Sequence, residues 1–161
     1  MPLKQLHIEQ VKAYFRVAGI TASRDTDGII AVGAVYRGNN DLDGVICKRG
    51  DLPLSSLISD MLKESRHLGQ IRVALLDEDL VEPSDAEELW METGKPILMP
   101  VKEASFDPRH MFMYRDRVIL AAGIDEESAR RVQDVVMGEK GSEALRIAGI
   151  ILKAVLNLHN V

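Results

Sequence analysis

Three acids, Asp77, Glu78 and Asp79, follow directly on the nearly continuous apolar run 71–76. A run of that kind reads as a strand buried on both faces. Helical patterns flank it at 54–65 and 84–92, so it is expected to be the central strand of an α/β sheet. Ligands in open α/β sheets sit outside the carboxyl ends of the strands. Asp77 is therefore the first candidate for chemistry, as a metal ligand, with an acid capping the strand end as the structural alternative. Glu78 and Asp79 are candidate co-ligands. Adjacent strand positions point to opposite faces, so at most one of them joins Asp77 unless the chain has already turned. Asp51 is a further carboxylate of interest, read mainly as a helix N-cap. Arg109 and His110, with Arg115 and Arg117 nearby, form the most basic local run. Their functional reading is a phosphate or nucleic-acid contact, against a solvated loop. Met111, Phe112, Met113 and Tyr114 beside them resemble a flap. His7, His67 and His159 show no ligand spacing, and no phosphate-cradling glycine loop follows a strand.

The elements that must position these residues follow from pattern. Residues 1–13 read as a polar lead-in or a first short element. Strands are expected over 15–20, 28–36 and 42–48, separated by the polar stretch 21–27 and by turn residues at 38–40 and 49–51. Together they make an antiparallel meander. An amphipathic helix follows, with Leu54, Leu57, Ile58, Met61 and Leu62 on its stripe. After the central strand, Pro83-Ser84-Asp85 opens a second helix and Thr93-Gly94-Lys95-Pro96 closes it. Residues 97–101 are a short buried strand, 107–117 a short helix or loop, and 118–122 an edge strand. Two helices finish the chain, over 125–137 and 143–158, with a break at 138–141. Three hairpinned strands feeding parallel β-α-β units give the ribonuclease H-like order, whereas a general doubly wound fold starts β-α.

The 161 residues fit one domain spanning 1–161 with a full-sized core. A hydrophobic share of 46% and a charged share of 28% place the chain among globular proteins. Its net charge of −5 argues against gripping nucleic acid by bulk charge, though not against a local basic patch. A single cysteine, Cys47, permits no internal disulfide, which fits a cytoplasmic setting, and it reads as a small buried hydrophobe. No signal segment is expected at the start. The longest apolar segment, 144–158, is interrupted by Arg146 and Lys153 and is too short to span a bilayer.

Four strings carry a family resemblance in order and spacing. They are Phe15-Arg16-Val17-Ala18-Gly19-Ile20 with Val32-Gly33-Ala34-Val35-Tyr36-Arg37-Gly38 and Leu42-Asp43-Gly44-Val45; Gln70 to Asp77; Thr93-Gly94-Lys95-Pro96-Ile97; and Leu145-Arg146-Ile147-Ala148. Over roughly residues 14–156 the chain resembles the mostly archaeal, uncharacterised family related to endonuclease V. The resemblance implies a ribonuclease H-like fold, and metal-dependent phosphodiester cleavage beside an altered base such as inosine. The departures fall on the family's functional positions. Thr21 and Ala22 replace two acids after the first strand, Arg49 stands where another acid is expected, and Gly149 replaces a histidine. Asp77 keeps its acid, with Glu78 in place of a glycine. Two-metal nucleases need several carboxylate oxygens around ions about 4 Å apart, and one carboxylate cannot hold both.

Two readings follow. In the first, the acids are lost and the chain is a non-catalytic module that binds nucleic acid or another partner, with no cofactor. In the second, a site rebuilt around Asp77, Asp51 and Asp79 holds Mg²⁺ or Mn²⁺ and cleaves nucleic acid. A homodimer through 107–122 is a further possibility, and no membrane partner is expected.

Overall fold

The computed structural model describes residues 4–102 and 110–159. Strand β1 (Arg16–Asp25) and strand β2 (Gly28–Arg37) pair over their full ten residues, from Arg16 opposite Arg37 to Asp25 opposite Gly28. Strand β3 (Asp41–Gly50) pairs antiparallel with β2 and slips register between Val35 and Tyr36. This is the expected meander, with two differences. The polar residues Thr21 to Asp25 are strand rather than loop, because the backbone of β2 continues to pair with them. Arg49 and Gly50 likewise belong to β3, paired with Ile30 and Ile29.

Helix α1 (Leu54–Glu64) starts from Pro53 in extended conformation, with no side-chain cap. Asp51 is therefore not its N-cap: Pro53 takes that position two residues later, and Asp51 stays exposed at the end of β3. The expected stripe is present, with Leu57, Ile58, Met61 and Leu62 buried against the sheet. Each such side chain contributes about 1.5–3 kcal/mol of burial.

Strand β4 (Val73–Leu76), fully buried, lies fourth in the seven-stranded order β3-β2-β1-β4-β5-β7-β6. It pairs parallel with β1 on one side and with β5 (Ile97–Val101) on the other. Helix α2 (Pro83–Thr93) connects β4 to β5 and ends at Gly94, whose φ of 73° is the left-handed C-cap that glycine supplies.

The segment expected to be a helix or loop is instead the outer half of a hairpin. Strand β6 (Met111–Tyr114) turns through Arg115 and Asp116, both at positive φ, into β7 (Arg117–Ala122). β7 is also not the edge: it pairs with β5, and β6 covers its other side. The alternation of Met and aromatic side chains in β6 is a strand pattern that the adjacent basic residues obscured.

Helix α3 (Glu126–Val136) is capped by Asp125, whose side chain accepts the Ser128 N–H. A two-residue ladder, β8 (Met137–Gly138) with β9 (Gly141–Ser142), fills the predicted break. Helix α4 (Glu143–His159) closes the chain. The lead-in forms one β-bridge, Leu6 to Ile124.

Two cores result. One face of the sheet packs on α1 and α2, the other on α3 and α4. Gly19 allows α4 to lie against β1, since a Cβ there would come within 2.5 Å of the Ala144 backbone. Cys47 is exposed on the edge strand β3 rather than buried, because it lies on the face opposite the one that α1 covers, in register with Val32. No helix among the described residues is long and apolar enough to cross a membrane.

Candidate functional site

The parallel ladder between β1 and β4 ends at Ile20 opposite Leu76, and the Asp77 N–H donates to the Ile20 carbonyl at 3.0 Å. The next residue on β1 is Thr21. Strand alternation puts Thr21 and Asp77 on the face covered by α3 and α4, in line with Val17 and Leu75. The Thr21 hydroxyl donates to Asp77 Oδ2 at 3.1 Å. The other oxygen, Asp77 Oδ1, accepts the Glu78 N–H at 2.9 Å. A family acid at position 21 would thus stand beside Asp77, and here a buried, neutral hydroxyl takes its place. Ala22 points to the opposite face and packs on the α1–α2 core.

The remaining acids do not converge. Asp79 sits at φ 51° and accepts the Lys102 N–H on both oxygens, at 3.4 and 3.3 Å. Glu78 pairs with Arg117 at 2.7 Å. Asp51 follows Gly50, which is in register with Ile29 and through it with Arg24. That is three residues beyond Thr21, or about 10 Å along the strand. Arg49 does not confront Asp77 either; its guanidinium pairs at 2.6 Å with Asp25, whose side chain is 8% exposed. A Cβ at Gly149 would meet nothing within 4 Å, so the position expected to carry histidine is open space. Among the described residues, no group of three or more His, Cys, Asp or Glu side chains could hold a metal ion. The donor set at Asp77, one carboxylate with a hydroxyl hydrogen-bonded to it, does not fit a two-metal centre.

A cleft of about 310 Å³ opens from Asp77 toward β5, β7 and the start of α4. Leu98, Pro100, Ile119, Met137 and Leu145 form apolar walls, and Arg115, Arg117, Lys140 and Arg146 bring four cations to it. Arg146 grips Glu143 with contacts of 2.6 and 3.0 Å. That pairing holds the Glu143 carboxyl below its usual range and raises the Arg146 guanidinium. Arg115 donates to the Gly138 carbonyl at 2.9 Å and lies 5.2 Å from the centre of the Tyr114 ring.

Of the predicted basic run, Arg115 and Arg117 therefore reach the cleft that Asp77 lines. His110 instead lines a separate apolar pocket with Trp90 and Met111 on the α2 side of the sheet. Arg109 lies outside the described residues. Lys140 and Gln133 were missed by sequence reasoning. Lys140 sits in the small β8–β9 turn. Gln133 had a legible signal: it is a polar residue in the buried stripe Ala129, Val132, Val136 of α3.

No family model matches the chain. It is 35% identical over 99 residues to a UPF0215 protein of Methanosarcina acetivorans, covering 57% of this chain and 50% of that protein. It is 32% identical over 108 residues to one of Methanothermobacter thermautotrophicus, covering 60% and 52%. These matches span about half the length of those curated relatives. A UPF0215 protein of Methanopyrus kandleri is 25% identical over 97% of the chain and 88% of its own length. Among solved structures, human endonuclease V superposes with a TM-score of 0.74 at 13% identity, covering 99% of this chain and 93% of that one. A protein of unknown function from Archaeoglobus fulgidus gives 0.73 at 18% identity, covering 88% and 98%. Endonuclease V of Ciona intestinalis, solved in complex with a DNA containing inosine, gives 0.63 at 12% identity, covering 88% and 85%. The chain is a homologue of archaeal UPF0215 proteins with an endonuclease V-like, ribonuclease H-like fold, matching the uncharacterised archaeal family that its motifs resemble.

Proposed function

We propose that this chain is a nucleic-acid-binding module on an endonuclease V-like frame, without metal-dependent hydrolysis. The observation that carries the reading is the Thr21 hydroxyl donating to Asp77, in the place where a second carboxylate would be needed. A hydroxyl cannot supply the charge that holds a divalent cation, and with it the activated water and the stabilised leaving oxygen of phosphodiester cleavage. Binding survives on different groups. The cations beside Asp77 form a local basic patch on a chain that is acidic as a whole. Apolar walls beneath them suit the face of a base. The inosine-containing DNA held by the Ciona endonuclease V makes nucleic acid the natural ligand class to test.

The test uses inosine-containing single-stranded DNA and RNA with Mg²⁺ or Mn²⁺ present. The expected result is a retarded, uncleaved strand whose affinity falls as salt rises. Metal-dependent cleavage that disappears in Asp77→Asn would overturn the reading and favour a working site rebuilt around Asp77.

A further inference from the structure

Gln133 is 4% exposed, and its side-chain amide has no hydrogen-bond partner among the described residues. Its main-chain carbonyl accepts the Met137 N–H that caps α3. Buried amides almost always find partners, so one that does not calls for an explanation. The amide is not sealed in the core: the fully enclosed, unpaired side-chain atom among the described residues is Ser59 Oγ, and Gln133 instead lines the cleft beside Asp77. Two further groups on that cleft have hydrogen-bonding capacity to offer. Lys140 forms no ion pair among the described residues, and Arg115 uses one N–H on the Gly138 carbonyl. The neighbouring Arg117 and Arg146 are already held by Glu78 and Glu143.

The cleft thus combines a planar donor-acceptor group at its wall, apolar sides at Leu98 and Ile119, and at its rim Lys140, which forms no ion pair among the described residues, and Arg115, which is held to the Gly138 carbonyl by one N–H. We propose that it is a reading pocket for one nucleotide unit. Gln133 pairs with a base edge that carries a donor beside an acceptor, and Lys140 with Arg115 holds the phosphate. An amide offers both donor and acceptor in one plane, which is the geometry of bidentate base contacts. The volume, about 310 Å³, lies at the lower end for small-ligand sites and suits one nucleotide rather than a duplex. This inference rests on the nucleic-acid reading for the source of the nucleotide; a free mononucleotide carries the same chemistry.

The experiment is calorimetric titration of the full chain with the four nucleoside monophosphates, with ribose 5-phosphate, and with single strands of about twelve nucleotides, within the span of such sites. The variants are Gln133→Met, which keeps length and removes the hydrogen bonds, and Lys140→Gln. The wild type is expected to prefer one base over the others by about tenfold or more, from one bidentate pair. Gln133→Met should flatten that preference to within about twofold at an unfolding midpoint no lower than the wild type's, since it removes an unpaired buried amide. Lys140→Gln should weaken every phosphate ligand alike. Base preference unchanged in Gln133→Met, or a lowered midpoint showing that the amide has a structural partner, would overturn the inference. If single strands bind with no base preference, the pocket inference fails while the nucleic-acid reading stands. Base-selective mononucleotide binding without strand binding would support the pocket and overturn the polymer as its source. Binding of neither would sink both.

Discussion

Asp77 has two sides that differ in chemistry. On the β1 side stands Thr21, a hydroxyl where the resemblance to the endonuclease V-related family implies an acid, while Ala22 faces the opposite core and Gly149 leaves open space on α4. On the β5–β7 side stand Gln133, Arg115 and Lys140, the groups on which the proposed binding rests. The frame joining the two is intact, from the β1–β4 ladder to the contact of α4 with Gly19. A fold is held by buried apolar area spread over many residues, whereas metal-dependent hydrolysis depends on a few carboxylates, so a change at those few would leave the frame and the cleft in place.

The largest effect should come from breaking the frame that both sides share. Gly19→Val would drive a branched side chain into the α4 backbone at Ala144. It should cost about 3 kcal/mol or more, read as a lowered urea midpoint, and binding should be lost with it. An unchanged midpoint would mean that α4 does not rest on β1 as described.

Thr21→Asp sharpens the contrast by returning a carboxylate to the β1 side. Without metal, two carboxylates this close make each other harder to ionise. An acid whose folded pKa is raised destabilises above that pKa and ceases to do so below its unfolded value. The variant should therefore be less stable than wild type near neutral pH, by about 1.4 kcal/mol for each tenfold gain in proton affinity, and recover as the pH falls. Mn²⁺ should stabilise the variant and leave the wild type unmoved, as thermal melts would report.

Asp125→Ala probes a region away from both sides. Burial pushes the Asp125 carboxyl up, but hydrogen bonds from the Ser128 N–H, His7 and the Ser128 hydroxyl outweigh it, so its pKa lies below the usual value. Such a group adds stability above its unfolded pKa, and that stability is lost as pH falls through the folded one. Losing this N-cap should cost about 1 kcal/mol at neutral pH. The gap from wild type should close in acid, and nucleotide binding should not change. The smallest expected effect is that of Lys140→Gln on strand binding, a reduction of about 1 in the salt slope, measured by titration at several salt concentrations.

Much of the frame was legible because its signals are local. The unbroken apolar run into Asp77 marked the middle strand, and Gly94 with Pro96 marked the end of α2. The meander turns at Asp27-Gly28 and Gly38-Asn39 carried the topology. The β6–β7 hairpin was not legible. Its strands are short, its turn is Arg115-Asp116 rather than the usual glycine pair, and non-glycine residues at positive φ leave no sequence mark. Asp51 looked like a cap because it precedes a proline, yet Pro53 itself holds the cap position. Within the candidate site, Asp77 could be read from its place after the apolar run, and the replacement at Thr21 from the family resemblance. Their hydrogen bond could not, because it depends on the register between β1 and β4, which are separated by 56 residues at the contact. Gln133, Arg115 and Lys140 come from three elements that only the folded chain brings to one cleft.

The most direct measurement is Mn²⁺ titration calorimetry on the wild type, Thr21→Asp and Asp77→Asn. The account predicts no specific binding to the wild type, binding gained in Thr21→Asp, and none in Asp77→Asn. Stoichiometric Mn²⁺ binding to the wild type that vanishes in Asp77→Asn would contradict it, because Asp77 would then be the core of a functioning metal site.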